Sequence, residues 1–286
     1  MSFNFIIQCG NQIDTILKTF VMEGYGALAT ALRAPLGSLL VLYIVLVGYA
    51  MVRGLIQTPH QELFKFAFRA GVIYLGAMNW AFFSSHLKDL LVVGSETLAN
   101  ALMHAVDKGS TSHSINQGLQ RAFDEILHLG TETMGKGSYR NFSPYFAGMM
   151  IYLSGILTVG LALLEILLAK TMLSLTLSTA PLFILFTLFD QTKSFFERWL
   201  GVLVGFALVL IFVSGVVGLC LHLIHWIVAQ VAPTGGDTNV SIWVPLFIVA
   251  ILCALIVTQA ASIGKSIGGA LCTGGGAAMV GGFIGS

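Results

Sequence analysis

Residues 199–229 read WLGVLVGFALVLIFVSGVVGLCLHLIHWIVA and contain no Lys, Arg, Asp or Glu. Trp199 and Trp226 stand near the two ends, 27 residues apart, which is roughly 40 Å of α-helix at about 1.5 Å per residue. That length matches a bilayer with its polar interfaces, and tryptophans at both ends are typical of an aromatic belt. The stretch therefore predicts a helix that spans a membrane.

The composition of the whole chain indicates the same class of protein. Of the 286 residues, 56% are hydrophobic and only 9% are charged, against about 25% charged in a typical soluble domain. This excludes a disordered chain, a basic protein that coats nucleic acid and an ordinary soluble enzyme. The formal net charge of +1 offers no long-range attraction to a partner. We predict an all-α, polytopic membrane protein.

Three further apolar stretches are predicted spans: residues 36–52, 66–83 and 242–263. The short connection between the first two carries Arg53 and Lys65, and short positive loops favour the cytoplasm. The N-terminus is therefore predicted to lie outside.

Residues 145–189 are apolar but too long for one simple span. Glu165, Lys170 and Pro181 interrupt them, and as one helix they would measure roughly 67 Å, about twice the hydrocarbon core. We prefer one net crossing here, because Lys193 then lies in the cytoplasm. This gives about five crossings with a cytoplasmic C-terminus. The alternative is a hairpin with Glu165 and Lys170 at its tip, and then six crossings.

These patterns divide the chain into five predicted segments. They are an N-terminal amphipathic helix on the periplasmic side (1–35), the first two transmembrane helices (36–83), a periplasmic amphipathic helical loop (84–144), a C-terminal transmembrane block (145–263) and a glycine-rich tail (264–286).

The loop of residues 84–144 holds eleven of the 27 charged residues. Its first helix is predicted to bury one leucine-rich face; that face consists of Leu87, Leu90, Leu91, Leu98, Leu102 and Val106. Ser114 and Gln117 form a capping-box pattern that opens a second helix to about Leu129, followed by loop over 130–144. Because about 60 residues make a marginal core, we expect partner subunits to cover these apolar faces.

Two charges in the apolar block are candidates for function. Glu165 and Lys170 are separated by about 140° around a helix, so they are poor partners for each other. An ionisable residue within a membrane is a functional hypothesis by default. Either the pair lines a hydrated path, or the two residues lie at a hairpin tip or snorkel to the interface.

Catalytic motifs are absent from the sequence. It contains no P-loop, G-x-S-x-G, H-E-x-x-H or Rossmann pattern, and its four cysteines are scattered singly. His222 and His225 share a helix face, which permits a metal site, but their place beside Trp226 favours interfacial residues. We predict a protein that is not an enzyme and has no metal or cofactor.

The glycine-rich tail begins with a small-residue pattern. Gly264 and Gly268 have the spacing at which helix backbones approach closely. Packing between subunits and a merely trapped tail remain equally open.

One segment resembles a known family. Residues 180–211, APLFILFTLFDQTKSFFERWLGVLVGFALVLI, resemble the TrbL-like family, the polytopic inner-membrane subunit of type IV secretion systems (the sixth VirB component). In that family an apolar helix ends in a Pro-Leu-Phe-type run, and a short Thr/Phe/Phe/Trp linker leads into a long apolar helix. The matching positions are Pro181, Leu182, Phe183, Phe189, Thr192, Phe195, Phe196, Trp199 and Leu200. The likeness extends over about residues 30–265.

The resemblance implies a subunit of a translocation apparatus. Such subunits assemble as a homo-oligomer, a pentamer by resemblance, at the base of the periplasmic stalk in the inner membrane. The implied partners are lipid, the pilin, a minor pilin-like tip subunit, other inner-membrane subunits with their ATPases, and DNA or protein substrate in transit. It also implies that Pro181, Phe195, Phe196 and Trp199 lie at assembly interfaces.

A small secondary transporter is the alternative. Such transporters show internal repeats with interrupted helices in both halves. Only one proline-interrupted run occurs here, without a counterpart in the first half, and this favours the secretion subunit.

Overall fold

The structure, a computed structural model, describes residues 4–54, 64, 70–71, 73–74, 78–106, 114–135, 137, 142–188, 192–231 and 243–272. Within these ranges every regular element is a helix and no strand occurs. The predicted all-α class is therefore confirmed. The second predicted span (66–83) lies largely outside the described residues, as do most of the loop 230–241 and the tail beyond residue 272.

The helices follow one another along the chain with short connections. They are α1 (Phe5–Val52), α2 (Trp80–Phe83) with a π-helical continuation (Ser84–Val93), α3 (Gly94–Val106), α4 (Ile115–Gly135), α5 (Ser143–Ser178), α6 (Ala180–Leu185) with a 3-10 turn (Phe186–Leu188), α7 (Lys193–Val231) and α8 (Trp243–Cys272).

Four of the described helices are long and apolar enough to cross a membrane: α1, α5, most of α7 and most of α8. Each exceeds the 20 or so residues that a hydrocarbon core requires. The number of crossings and the orientation of the termini stay predictions.

Helix α1 joins the predicted N-terminal helix to the first predicted span. It runs unbroken for 48 residues through Pro35, or roughly 72 Å. Proline at that position leaves the carbonyl of Ala31 without its usual N–H partner. The hydroxyl of Ser38 donates to the carbonyl of Ala34 at 3.2 Å.

Helix α5 excludes the hairpin alternative. Its 36 residues pass through Glu165 and Lys170 without a turn, so these charges do not lie at a hairpin tip. The helix breaks instead at Thr179, where Pro181 occupies the first turn of α6. Proline is tolerated there because the first-turn N–H groups have no intrahelical acceptor.

The described chain divides into two compact units. The first comprises Met1–Thr15, Gly94–Thr171 and Gly205–Ile267. Its core is one apolar cluster built from α3, α4, α5, α7 and α8, with Ile6 from the start of α1.

The loop 84–144 has an internal core, contrary to expectation, and it uses a different face. Ala99 and Met103 of α3 are buried, whereas Leu90 and Leu98 are exposed. The smaller face wins because α7 approaches closely: a Cβ on Gly218 would lie 3.1 Å from the carbonyl oxygen of Met103. Partner subunits are therefore not needed to bury this face.

The two helix boundaries predicted within this loop have different outcomes. The amide of Gln117 donates to the hydroxyl of Ser114 at 3.3 Å, which confirms the predicted cap. The predicted end near Leu129 is wrong, because α4 continues to Gly135. Tyr152 of α5 fits against Gly130, where a Cβ would lie 2.6 Å from its ring, so Gly130 serves packing rather than a loop.

The second unit comprises Ile16–Val93, Met172–Val204 and Gly268–Ser286. Tyr25 of α1 stacks on Phe83 at 4.5 Å between ring centroids, and both rings are fully buried. Trp199 of α7 is also buried in this unit.

Candidate functional site

Lys170 lies at the centre of an ion triad in the first unit. Its Nζ is 2.8 Å from Asp14 Oδ1, 3.0 Å from Asp14 Oδ2 and 2.8 Å from Glu96 Oε1. The lysine side chain is 12% exposed, and the two carboxylates are 27% and 36% exposed. One cation therefore satisfies two carboxylates in a sheltered position, with a formal charge of −1 for the group.

Three helices supply the triad. Asp14 belongs to α1, Glu96 to the first turn of α3 and Lys170 to the last third of α5. The first turn of a helix favours a carboxylate because the unpaired N–H groups there carry partial positive charge. Glu96 is thus suited to its position before it meets Lys170.

The start of α4 closes the triad on one side. Its first amide, that of Ile115, donates to Asn100 Oδ1 of α3 at 3.2 Å. Together with the Ser114 cap, this bond pairs amides that otherwise lack acceptors at a helix start. The bond fixes α4 against α3.

The N-terminal turns of α1 attach through three positions on one face. The amide of Ile6 donates to Gln120 Oε1 of α4 at 2.9 Å. Gly10 lies against Asn116, whose Nδ2 would be 2.4 Å from a Cβ at that position. Asp14 follows with its bonds to Lys170. Since residues four apart share a helix face, α1 docks along a single polar seam.

A cavity of about 130 Å³ adjoins the triad. Its apolar wall is formed by Ile115 and Ile166, and Lys170 forms part of its polar wall. The remaining lining side chains are Asn11, Asp14, Glu96, Asn100, Ser114 and Asn116.

Glu165 is not part of this cluster. Its Oε2 is buried and makes no hydrogen bond with any residue that the structure describes. Lys170 and Glu165 therefore have separate environments on α5, as the angle of about 140° between them predicts.

A second cluster surrounds Trp199 in the second unit; we call it the aromatic corner. It consists of the rings of Phe183, Phe186, Phe195, Phe196 and Trp199. Trp199 stacks on Phe183 with 5.7 Å between centroids and 12° between planes. Phe196 adjoins Trp199 at 5.6 Å, and Phe195 adjoins Phe186 at 5.6 Å.

Trp199 is therefore not an exposed belt residue. It is 4% exposed, because its ring is held inside the corner, whereas Trp226 is 58% exposed. Pro181 is buried and Phe195 is half exposed. The hydroxyl of Thr192 donates to the carbonyl of Phe186 at 2.6 Å, which ties the linker to the 3-10 turn.

Gly264 of α8 packs within this chain. A Cβ there would lie 2.8 Å from the Cα of Val209 on α7, so only glycine permits this approach. Gly268 is also buried. His222 is exposed, and no group of three or more His, Cys, Asp or Glu side chains placed to hold a metal occurs in the described part of the chain.

Sequence reasoning identified Lys170 but missed its partners. Asp14 and Glu96 lie 156 and 74 positions before it, and no periodicity links residues at such separations. Each is an acidic residue on a mainly apolar helix, and this is the only local signal.

Comparison with known proteins places the chain in a family. Residues 40–260, about three quarters of the chain, match the model of the TrbL/VirB6 plasmid conjugal transfer protein family. The type IV secretion system protein VirB6 of Bartonella quintana (strain Toulouse) is 24% identical over 226 residues, covering 75% of this chain and 64% of that protein. The protein of the same name in Brucella abortus biovar 1 (strain 9-941) is 25% identical over 197 residues, covering 66% and 56%.

The VirB6 protein of Bartonella henselae (strain ATCC 49882 / DSM 28221 / CCUG 30454 / Houston 1) is 22% identical over 210 residues, or 70% of this chain. The matched part spans 56–64% of the length of these three relatives. The matches and the four long apolar helices make this a multi-pass protein of the bacterial inner membrane. The chain belongs to the TrbL/VirB6 family of plasmid conjugal transfer proteins.

Proposed function

We propose that this chain is an inner-membrane subunit of a conjugation-type type IV secretion apparatus and supports substrate translocation and pilus assembly. The observation that carries the proposal is the family match over residues 40–260, a stretch that contains all of α3, α4, α5, α6 and α7. The role is structural rather than enzymatic: the chain forms part of the channel or of the base of the stalk.

The outer surface of α1 supports assembly within a bilayer. Val41, Val45 and Leu46 are more than half exposed, and only 6% of the most apolar window of this helix is buried within the chain. Apolar area of this kind requires lipid or protein cover. In the proposed homo-oligomer, a pentamer by resemblance, lipid and neighbouring copies supply it.

The partners proposed for the assembled subunit follow from the family. They are the pilin, the minor pilin-like tip subunit, other inner-membrane subunits with their ATPases, and DNA or protein in transit. The half-exposed Phe195 in the aromatic corner is our candidate contact to a partner, and Pro181, Phe196 and Trp199 hold it in place. Glu165 and Lys170 are proposed to border a hydrated path.

Purification from the native bacterium tests the assembly. A tagged full chain, replacing the untagged one, is extracted in polymer nanodiscs and its mass is measured under native conditions. We expect several copies per particle and co-purifying pilus subunits. A tagged inner-membrane protein of similar size serves as the control. A monomer that carries a bound solute would instead support the secondary transporter.

A further inference from the structure

Four polar groups point to an unassigned ligand in the cavity beside Lys170. The side-chain amides of Asn11 and Asn116, the Nδ2 of Asn100 and the Oε2 of Glu96 all belong to lining residues. None of them makes a hydrogen bond to another described residue. Groups of this kind that converge on a cavity are satisfied by water or by a ligand.

The charge of the cavity selects the class of ligand. Lys170 already satisfies one oxygen of Glu96 and both oxygens of Asp14, so the group keeps a formal charge of −1. An anion would meet a neutralised lysine and an excess carboxylate. A bare metal ion would share the carboxylates with an ammonium group 2.8 Å away, and its ligand shell would be incomplete.

The hydrogen-bonding groups narrow the class further. The free carboxylate oxygen of Glu96 and the amide oxygens of Asn11 and Asn116 are acceptors, which suit a ligand with several N–H donors. The volume of about 130 Å³ equals roughly four waters at about 30 Å³ each, enough for a small head group. A planar guanidinium presents five donors in a fixed fork, and an ammonium presents three.

We propose that this cavity binds a compact organic cation, a guanidinium or primary ammonium group, with Glu96 Oε2 as its charged acceptor and Asn11, Asn100 and Asn116 around it. The source is either the side chain of an arginine or lysine on another polypeptide or a free polyamine. The site does not depend on the proposed function, because only residues of this chain form it.

Methyl NMR of the full chain in lipid nanodiscs tests the site. Ile115 and Ile166 line the cavity, so their ¹³C-labelled δ1 methyl groups report its occupancy; Ile115→Val and Ile166→Val assign the two signals. The probes are acetyl-arginine amide, acetyl-lysine amide and putrescine. Acetyl-citrulline amide, which is neutral and nearly isosteric with the arginine probe, is the control.

We expect the cationic probes to shift both signals saturably and the citrulline probe to leave them in place. Tighter binding of putrescine than of the two amino-acid amides would support a polyamine as the source, and the reverse order a protein side chain. Equal shifts with the citrulline probe, or no shift with any cation, would overturn the proposal.

Two carboxylate variants control for general charge. Glu96→Gln removes the proposed acceptor and leaves Lys170 paired with Asp14, whereas Glu132→Gln removes the same charge from an exposed position on α4. We expect Glu96→Gln to weaken cation binding by about tenfold or more, the loss of one charge-assisted hydrogen bond, and Glu132→Gln to have little effect. Equal weakening would overturn the proposal. Unshifted Ile115 and Ile166 signals without probe verify folding.

Discussion

The indole Nε1 of Trp199 donates a hydrogen bond of 2.9 Å to the carbonyl oxygen of Thr176. Thr176 lies in the last turn of α5, where carbonyl groups lack intrahelical partners. The side chain and the amide of Thr179 also donate to this oxygen, at 2.7 Å and 3.3 Å. The first turns of α7 are thereby tied to the end of α5, and the family-typical tryptophan has a structural task.

The two interactions of Trp199 are separable by mutation. Trp199→Phe keeps an aromatic ring on Phe183 but loses the hydrogen bond, and we expect a loss of about 1 kcal/mol in stability. Trp199→Ala also empties the aromatic corner, and we expect about 3–5 kcal/mol. Thermal unfolding of the purified chain in nanodiscs measures both. Equal effects of the two variants would show that ring packing is irrelevant.

The same alanine variant is expected to weaken assembly with partner subunits. Native mass measurement of the complex from the bacterial membrane checks this, with Trp226→Ala as the control because Trp226 is an exposed tryptophan on the same helix. Normal recovery of the complex and normal substrate transfer with Trp199→Ala would count against a role in assembly.

The ion triad predicts a strong dependence on Lys170. Lys170→Leu leaves Asp14 and Glu96 facing each other without a cation, and breaking a buried pair in this way costs about 3–5 kcal/mol. Because these carboxylates are partly exposed, we expect the lower end of that range. Thermal unfolding in nanodiscs provides the measurement.

Two comparisons make the Lys170 experiment specific. The triple variant that adds Asp14→Asn and Glu96→Gln restores much of the loss, since no unpaired charge remains. Lys193→Leu breaks only an exposed pair with Glu197 at 3.4 Å and costs at most about 0.5 kcal/mol. If Lys170→Leu and Lys193→Leu had equal effects, the triad would be merely a surface contact.

Glu165 predicts the opposite sign on the same helix. Its buried Oε2 has no hydrogen-bond partner among the described residues, so Glu165→Leu removes an unsatisfied polar group and is expected to raise stability by about 1 kcal/mol. Under the proposed hydrated path, the stabilised variant transfers less substrate. A destabilised Glu165→Leu would reveal a partner for this carboxylate.

Gly264 and Gly269 form a matched pair on α8. Gly264→Ala places a Cβ 2.8 Å from the backbone of Val209, so α7 and α8 must separate, and we expect a loss of about 1–3 kcal/mol. Gly269→Ala meets nothing within 4 Å and gains up to about 1 kcal/mol from helix propensity. Thermal unfolding of both variants decides: a neutral Gly264→Ala would exclude close packing of α7 on α8.

Local patterns predicted much of the fold. The charge-free run after Trp199 is one helix, the Ser114 cap is present, and the long apolar stretches are helical because their side chains have no polar alternative. The buried face of α3 was not predictable in the same way. Ala99 and Met103 win over Leu98 because Gly218 of a distant helix permits close contact, and hydrophobicity alone favours leucine.

The candidate site was predicted only in part. Lys170 stands out as a lone cation in an apolar block, but Asp14 and Glu96 become its neighbours through tertiary folding. The length of residues 145–189 suggested either a hairpin or a single crossing, and Thr179 with Pro181 shifts the actual break to a point after both charges. Trp199 was expected at an interface, and its partner Thr176 lies in the preceding helix.

Substrate transfer from a deletion strain tests the central claim most directly. The bacterium that carries this chain is deleted for it and complemented with wild-type chain, with Trp199→Ala or with Trp226→Ala at matched levels, and delivery of DNA or protein to recipient cells is counted. We predict that deletion abolishes transfer, that wild-type chain and Trp226→Ala restore it, and that Trp199→Ala does not. Undiminished transfer in the deletion strain would contradict the account.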